Sequence, residues 1–231
     1  MLCRTRHGLD EEIKVAVRAR ELGLEAVVLD AKGVSQLEKG VDLNVEGAVH
    51  YTGDRHLSPE RFIHCLERDA LARGASLRFG EEVVGWEKQN GRVHAVALAT
   101  GERIAADEFV LCGGVWSEGV ALGLELSLPM QAGRGYSVTL TNPVQQLSTC
   151  SILSEDRVAV TPLGGTLRVG GTMELAGMNR PLDLARVAAL GKAFVRYYPR
   201  FREVDFSGIK PWHGLRPCSP DGLPYIGRTS R

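Results

Sequence analysis

The stretch from Lys210 to Gly227, KPWHGLRPCSPDGLPYIG, constrains this chain more than any other. Pro211, Pro217, Pro220 and Pro224 fix φ near one value, and Gly214, Gly222 and Gly227 supply the freedom that proline removes. Arg216 precedes a proline, which biases its own backbone toward an extended conformation. Pro220-Asp221-Gly222 predicts a tight turn, with a short strand over Leu223 to Ile226 after it. A segment this stiff holds one guanidinium at a defined angle. A guanidinium suits a carboxylate, to which it can give two parallel hydrogen bonds. The same spacing also fits an arginine that satisfies loop carbonyls, so spacing leaves both readings open.

Upstream, apolar residues at three- and four-residue steps predict a helix over Leu9 to Leu22, with Asp10, Glu11 and Glu12 in its first turn and Gly23 at its end. A buried strand over Ala26 to Leu29 and a short helix over Ala31 to Leu37 follow. Gly47 to Tyr51 reads as a strand. Ser58 then caps a helix opened by Pro59, whose core face is Phe62, Ile63, Leu66, Ala70 and Leu71 and which Gly74 stops. His64 and Cys65 lie on this helix without a third ligand at metal spacing, so no metal site is expected.

Alternating residues predict a meander: Ser76 to Phe79, Glu82 to Trp86, a turn at Asn90-Gly91, then Val93 to Leu98 and a strand at Ile104. Phe109 to Cys112 is an apolar strand leading into Gly113-Gly114, with a short helix from Trp116 to Leu122. Gly133 to Leu140 opens a second β-rich stretch. Its Gly133-x-Gly135-x-x-Val138 is a near miss to a phosphate-binding pattern. It leads into strand rather than a helix N-terminus, which denies it aligned amides. Strands over Arg157 to Val160, Leu167 to Val169 and Thr172 to Leu175 follow. A helix over Asp183 to Tyr197, with Leu184, Val187, Leu190, Phe194 and Tyr197 inward, completes the stretch.

Composition narrows the classes. With 28 basic and 28 acidic residues in 231, there is no excess positive charge for nucleic acid or an anionic membrane. Five dispersed cysteines without a C-x-x-C pair favour reduced thiols and a cytoplasmic setting. No apolar run is long enough to span a bilayer.

Trp212-x-Gly214-Leu215-Arg216-Pro217-x-x-Pro220-Asp221-Gly222-Leu223-Pro224-x-Ile226-Gly227 resembles the C-terminal signature of the FAD-dependent D-amino-acid oxidase (DAO) superfamily, of the D-amino-acid dehydrogenase small-subunit and glycine oxidase types. Gly170-Gly171-Thr172-Met173-Glu174-Leu175 also looks like the dehydrogenase branch. The resemblance implies an α+β or α/β fold: a partial FAD-binding domain beside a substrate domain with a large, mostly antiparallel sheet flanked by helices. It implies four segments: 1–46 as the helical part of the substrate domain, 47–122 as FAD domain, 123–209 as β-rich substrate domain, and 210–231 as the signature loop returning to the FAD domain.

The resemblance further implies oxidative deamination of an amino acid, with a D-amino acid as substrate, to a 2-oxo acid and ammonia, and FAD as cofactor. Arg216 would pair with the substrate carboxylate, and Tyr136 would add a hydroxyl or cover the site. Val83, Cys112, Gly113, Gly114, Trp116 and Gly214 would lie against the cofactor. His213 reads as a packing residue. The motifs name no electron acceptor, and peripheral membrane attachment of a longer enzyme stays open. Oxidation of glycine, sarcosine or a tRNA-attached amine is a neighbouring reading, and a non-catalytic β-rich binding module is one from another class. No G-x-G-x-x-G stands between a strand and a helix, although such families begin with one. The expectation is therefore an internal fragment, about half to three fifths of such an enzyme, that does not hold FAD stably without the pyrophosphate loop.

Overall fold

The computed structural model describes residues 1–178 and 181–229. The last two residues of the expected 210–231 segment lie outside the described residues. Among the described residues there are five α-helices and eleven strands, and the strands form two sheets. The chain divides into two compact units: Met1–Phe62, Gly135–Glu174 and Pro181–Gly214 in the first, Ile63–Arg134, Leu175–Arg180 and Leu215–Arg231 in the second.

The larger sheet has eight strands: β1 (Leu2–Cys3), β2 (Ala26–Asp30), β3 (Gly47–Tyr51), β7 (Gln131–Leu140), β8 (Ser151–Leu153), β9 (Val158–Leu163), β10 (Thr166–Leu175) and β11 (Trp212–Cys218), in the order β11-β7-β10-β9-β8-β1-β3-β2. It is mostly antiparallel; β1 and β8 make a parallel pair. β3 pairs with both β1 and β2, and residues 47–62 fall within the first unit.

Helix α5 (Leu184–Tyr197) is capped by Asp183, whose carboxylate accepts from the amides of Ala185 and Arg186. Its Val187, Leu190, Phe194 and Tyr197 pack with Tyr136, Val138, Leu167 and Val169 of the sheet in one core. Leu184, expected inward, is the first residue of the helix and is 67% exposed. Tyr198, stacked on Phe194 at 4.7 Å, and Phe201 complete the aromatic centre.

Helix α1 (Arg6–Glu21) begins three residues before the expected start, so Asp10 to Glu12 fall outside its first turn. Thr5 caps it by accepting from the Gly8 amide. The Glu155 carboxylate accepts from the amides of Arg4 and Thr5 and from the hydroxyls of Thr5 and Tyr197. That anchor is about 150 residues away in sequence, out of reach of any local pattern. Helix α2 (Ala31–Leu37) follows β2 as expected, capped by Asp30.

Helix α3 (Pro59–Ala72) forms where its period predicts, but none of its residues is buried. Phe62, Ile63, Leu66 and Leu71, expected as its core face, are each about half exposed. Ser76 to Phe79 forms no strand; Arg78 instead pairs with Glu81 and Glu102. The second sheet is β4 (Val83–Gln89), β5 (Arg92–Leu98) and β6 (Arg103–Ala105), all antiparallel. Asn90 and Gly91 turn between β4 and β5 with φ of 52° and 77°, the geometry that an Asn-Gly hairpin selects. Phe109 to Cys112 is not a strand: neither sheet contains it, and Val110 is 85% exposed. An apolar run becomes a strand only when a ladder is there to pair with it. Helix α4 (Ser117–Leu122) is preceded by a single 3₁₀ turn, Gly114–Trp116. Among the described residues, no helix is long and apolar enough to cross a membrane.

Candidate functional site

In the first unit, β7 carries Tyr136 into the core, where it is 2% exposed. Its hydroxyl donates to Glu174 Oε2 on β10 at 2.6 Å. The hydroxyl that sequence reading offers to a substrate thus already has a carboxylate partner on the helix-covered side of the sheet. Gly214 lies on β11 under the indole of Trp212. A Cβ built there would stand 3.0 Å from Cζ2 and closer still to Cη2, so only glycine lets the ring lie across the strand.

In the second unit, Arg216 lies on β11 two residues before its last, Cys218, in the extended backbone that its place before Pro217 favours. The side chain is exposed, and among the described residues its guanidinium has neither a hydrogen bond nor an ion pair. The backbone oxygen of Arg216 accepts from Cys218 Sγ at 3.6 Å. The turn beyond it is fixed locally. The Gly222 amide donates to Ser219 O with Gly222 at φ 76°, the Leu223 amide donates to Asp221 Oδ1, and Ser219 Oγ donates to Leu223 O. Donation from Leu223 holds the Asp221 carboxyl below its ordinary range. Leu223 to Ile226 makes no strand, since Pro224 brings no N–H and neither sheet includes the segment. Tyr225 instead donates its hydroxyl to Pro129 O at 2.8 Å.

The residues expected at a cofactor also lie here. Val83 opens β4 opposite Leu98, with a bulge before Gly85. The Trp86 indole donates to Val120 O at 2.7 Å and meets Phe109 edge-on, tying this sheet to helix α4. Just before α4, Cys112 is exposed, Gly113 sits at φ −81°, and Gly114 adopts φ +57°. A Cβ on Gly113 would stand 3.3 Å from Ser117 Oγ, whereas one on Gly114 would meet nothing within 4 Å. Open space over a left-handed glycine leaves bare backbone for a flat group to approach, and the Trp116 ring, 61% exposed, stands beside it in sequence. These features fit a flavin nucleotide. Among the described residues, no group of three or more His, Cys, Asp or Glu could hold a metal.

Sequence reading passed over Ser137 on β7 and Arg168 on β10. Both bury a polar side-chain atom that has no hydrogen-bond partner among the described residues. The available signal was an arginine inside the apolar run Leu167-Arg168-Val169.

The family model of FAD dependent oxidoreductases, DAO, matches residues 1–231. The chain belongs to this DAO family. It is 37% identical over 181 residues to a D-amino acid dehydrogenase of Methylobacterium sp. (strain 4-46), covering 78% of this chain and 42% of that protein. A D-amino acid dehydrogenase of Methylobacterium nodulans is 33% identical over 240 residues, covering 99% of this chain and 55% of that protein. The chain thus spans about half the length of these DAO relatives. Among solved structures, glycine oxidase from Bacillus cereus superposes with a TM-score of 0.87 at 21% identity, over 99% of this chain and 62% of that one. L-Proline dehydrogenase from P. horikoshii superposes with a TM-score of 0.83 at 16% identity, over 99% of this chain and 62% of that one. These likenesses establish the DAO fold, with its large and mostly antiparallel sheet.

Proposed function

We propose that this chain supplies the substrate-binding part, and part of the cofactor-binding part, of an enzyme that oxidatively deaminates D-amino acids with FAD. The carrying observation is Arg216. It sits on β11 in a Trp-x-Gly-Leu-Arg-Pro context, with an exposed guanidinium that no carboxylate of the described residues neutralises. A structural arginine would be expected to have such a partner. Identity of 33–37% to proteins named D-amino acid dehydrogenases supports the substrate class.

Bound FAD supplies a two-electron acceptor for the hydride that leaves the substrate α-carbon. Arg216 holds the α-carboxylate by two parallel hydrogen bonds and thereby orients the α-carbon. The amine loses a proton as the C=N bond forms, and water then converts the imino acid to a 2-oxo acid and ammonia. No side chain of this chain is assigned as a base. Gly113 and Gly114 would let the backbone approach the flavin nucleotide, with Cys112 and Trp116 beside them, the Val83 backbone on the adenine side and Gly214 along the substrate strand.

The test is an assay with D- and L-amino acids, FAD and an artificial electron-accepting dye, on the longest gene product that contains this chain. Formation of 2-oxo acid from D-amino acids alone is expected. Turnover confined to L-amino acids or to secondary amines would overturn the substrate assignment.

A further inference from the structure

The last residues of β7 and the chain leading into β11 enclose an open cleft of about 470 Å³, a size usual for small-molecule sites. Its lining lies wholly within the first unit. The floor is apolar: Leu140 is buried in the main core, and Val204 and Ile209 pack against that core. Backbone bonds close the short turns before these walls, from Val204 N to Phe201 O at 3.1 Å and from Ile209 N to Phe206 O at 3.4 Å. Asn142 and Lys210 also line the cleft, and each precedes a proline, which biases its backbone toward an extended form. Walls held by the core and stiffened by Pro143 and Pro211 need little ordering to receive a ligand.

The charge of the cleft is one-sided. Among the described residues, Lys210 is the only charged side chain in the lining, and its ammonium has neither a hydrogen bond nor an ion pair. An apolar floor beside one unneutralised cation selects an amphipathic monoanion. The body of such a ligand leaves water against Leu140, Val204 and Ile209, and the compact ammonium meets its charge. Thr139 and Asn142 add neutral hydrogen-bonding groups to the lining. Inorganic phosphate fits poorly, since it brings no apolar surface to bury and, as a dianion, a second charge without a cation.

We propose that this cleft binds a small monocarboxylate with an apolar body, its carboxylate at Lys210 and its body on the floor formed by Leu140, Val204 and Ile209. None of these residues is assigned above to substrate or cofactor. The site goes beyond the proposed oxidation, and it stands whether or not an amine is oxidised.

Phenylacetate is the probe, with phenylacetamide as its neutral isostere and inorganic phosphate as the anion without an apolar body, titrated into the full chain carrying ¹³C-methyl isoleucine. Phenylacetate is expected to move the Ile209 methyl signal saturably, through the ring current of its aryl group. It should bind about three- to tenfold more tightly than phenylacetamide, and phosphate should not displace it. Lys210→Gln should abolish the preference for the acid and leave binding of the amide unchanged. Lys210 is exposed and has no protein partner among the described residues to lose, so this variant folds as the parent does. The Ile226 methyl, on a side chain 88% exposed and outside the lining, reports general adhesion to apolar surface. An Ile209 signal that does not saturate, equal binding of acid and amide, displacement by phosphate, a preference that survives Lys210→Gln, or equal movement of Ile226 would each overturn the site.

Discussion

The indole of Trp212 lies across the α-carbon of Gly214, two residues along the same strand, and leaves no room there for a methyl group. Gly214→Ala should therefore push the ring off the strand and cost about 1–3 kcal/mol, the usual range for overpacking. Trp212→Ala removes the obstacle. The double variant Trp212→Ala/Gly214→Ala should then cost clearly less than the sum of the two single changes, as expected for residues in contact. Chemical denaturation of the four proteins closes this cycle; simple additivity would show that the ring has another place to go at no cost.

Gly114 presents the opposite case. Its surroundings are open, but its φ of +57° is a conformation that alanine adopts with strain. Gly114→Ala should lose about 1–2 kcal/mol of stability from backbone conformation alone. Gly113 has an ordinary φ of −81° and a tight approach to a movable Ser117 hydroxyl. Gly113→Ala should cost less. Thermal melts of both variants decide the order, and a larger loss at Gly113 would mean that contact outweighs conformation there.

What the sequence specifies here is what local chemistry decides. Asn90-Gly91 announces its hairpin because two residues with positive φ suffice to set it. Asp183 announces α5 because the cap needs only the next three residues. Phe109 to Cys112 and the α3 stripe mislead because pairing and burial are not local properties: Val110 and Ile63 carry the composition of buried residues yet stand 85% and 60% exposed. The start of α1 is hidden because Glu155, far along the chain, fixes the amides of Arg4 and Thr5. The candidate site divides along the same line. Arg216 is legible through the prolines around it. Ser137 and Arg168 are not, since the burial of Oγ and Nε depends on strands brought together from far along the chain, and an alternating polar residue in a strand otherwise reads as solvent-facing.

The Glu155 anchor carries a pH dependence whose sign is fixed. Burial works to raise this carboxyl, but hydrogen bonds from the Tyr197 hydroxyl and from Thr5 outweigh it and hold the pKa below the ordinary 4.5. A carboxyl depressed on folding contributes stability above its unfolded pKa and loses it as pH falls through the lower folded value. Glu155→Gln should thus be less stable than the parent at neutral pH, with the gap closing only below about pH 4.5. Urea midpoints measured from pH 7 down to pH 3 provide the check. A gap that stays constant across that range would assign the loss to packing rather than to charge.

Arg216 decides the proposed function. In the flavin-loaded enzyme, Arg216→Lys keeps the charge but cannot make the planar two-point contact with a carboxylate. Losing one charge-assisted hydrogen bond of about 1.5–3 kcal/mol should weaken amino-acid binding about ten- to a hundredfold. The carboxylate is bound in ground and transition states alike, so the loss should fall on KM while kcat changes little. Stability should hardly move, because the exposed guanidinium has no protein partner among the described residues to lose. Steady-state kinetics and a melting curve on the same preparation separate the two roles. A lowered Tm with unchanged KM would make Arg216 a structural residue and remove the support on which the proposed deamination rests.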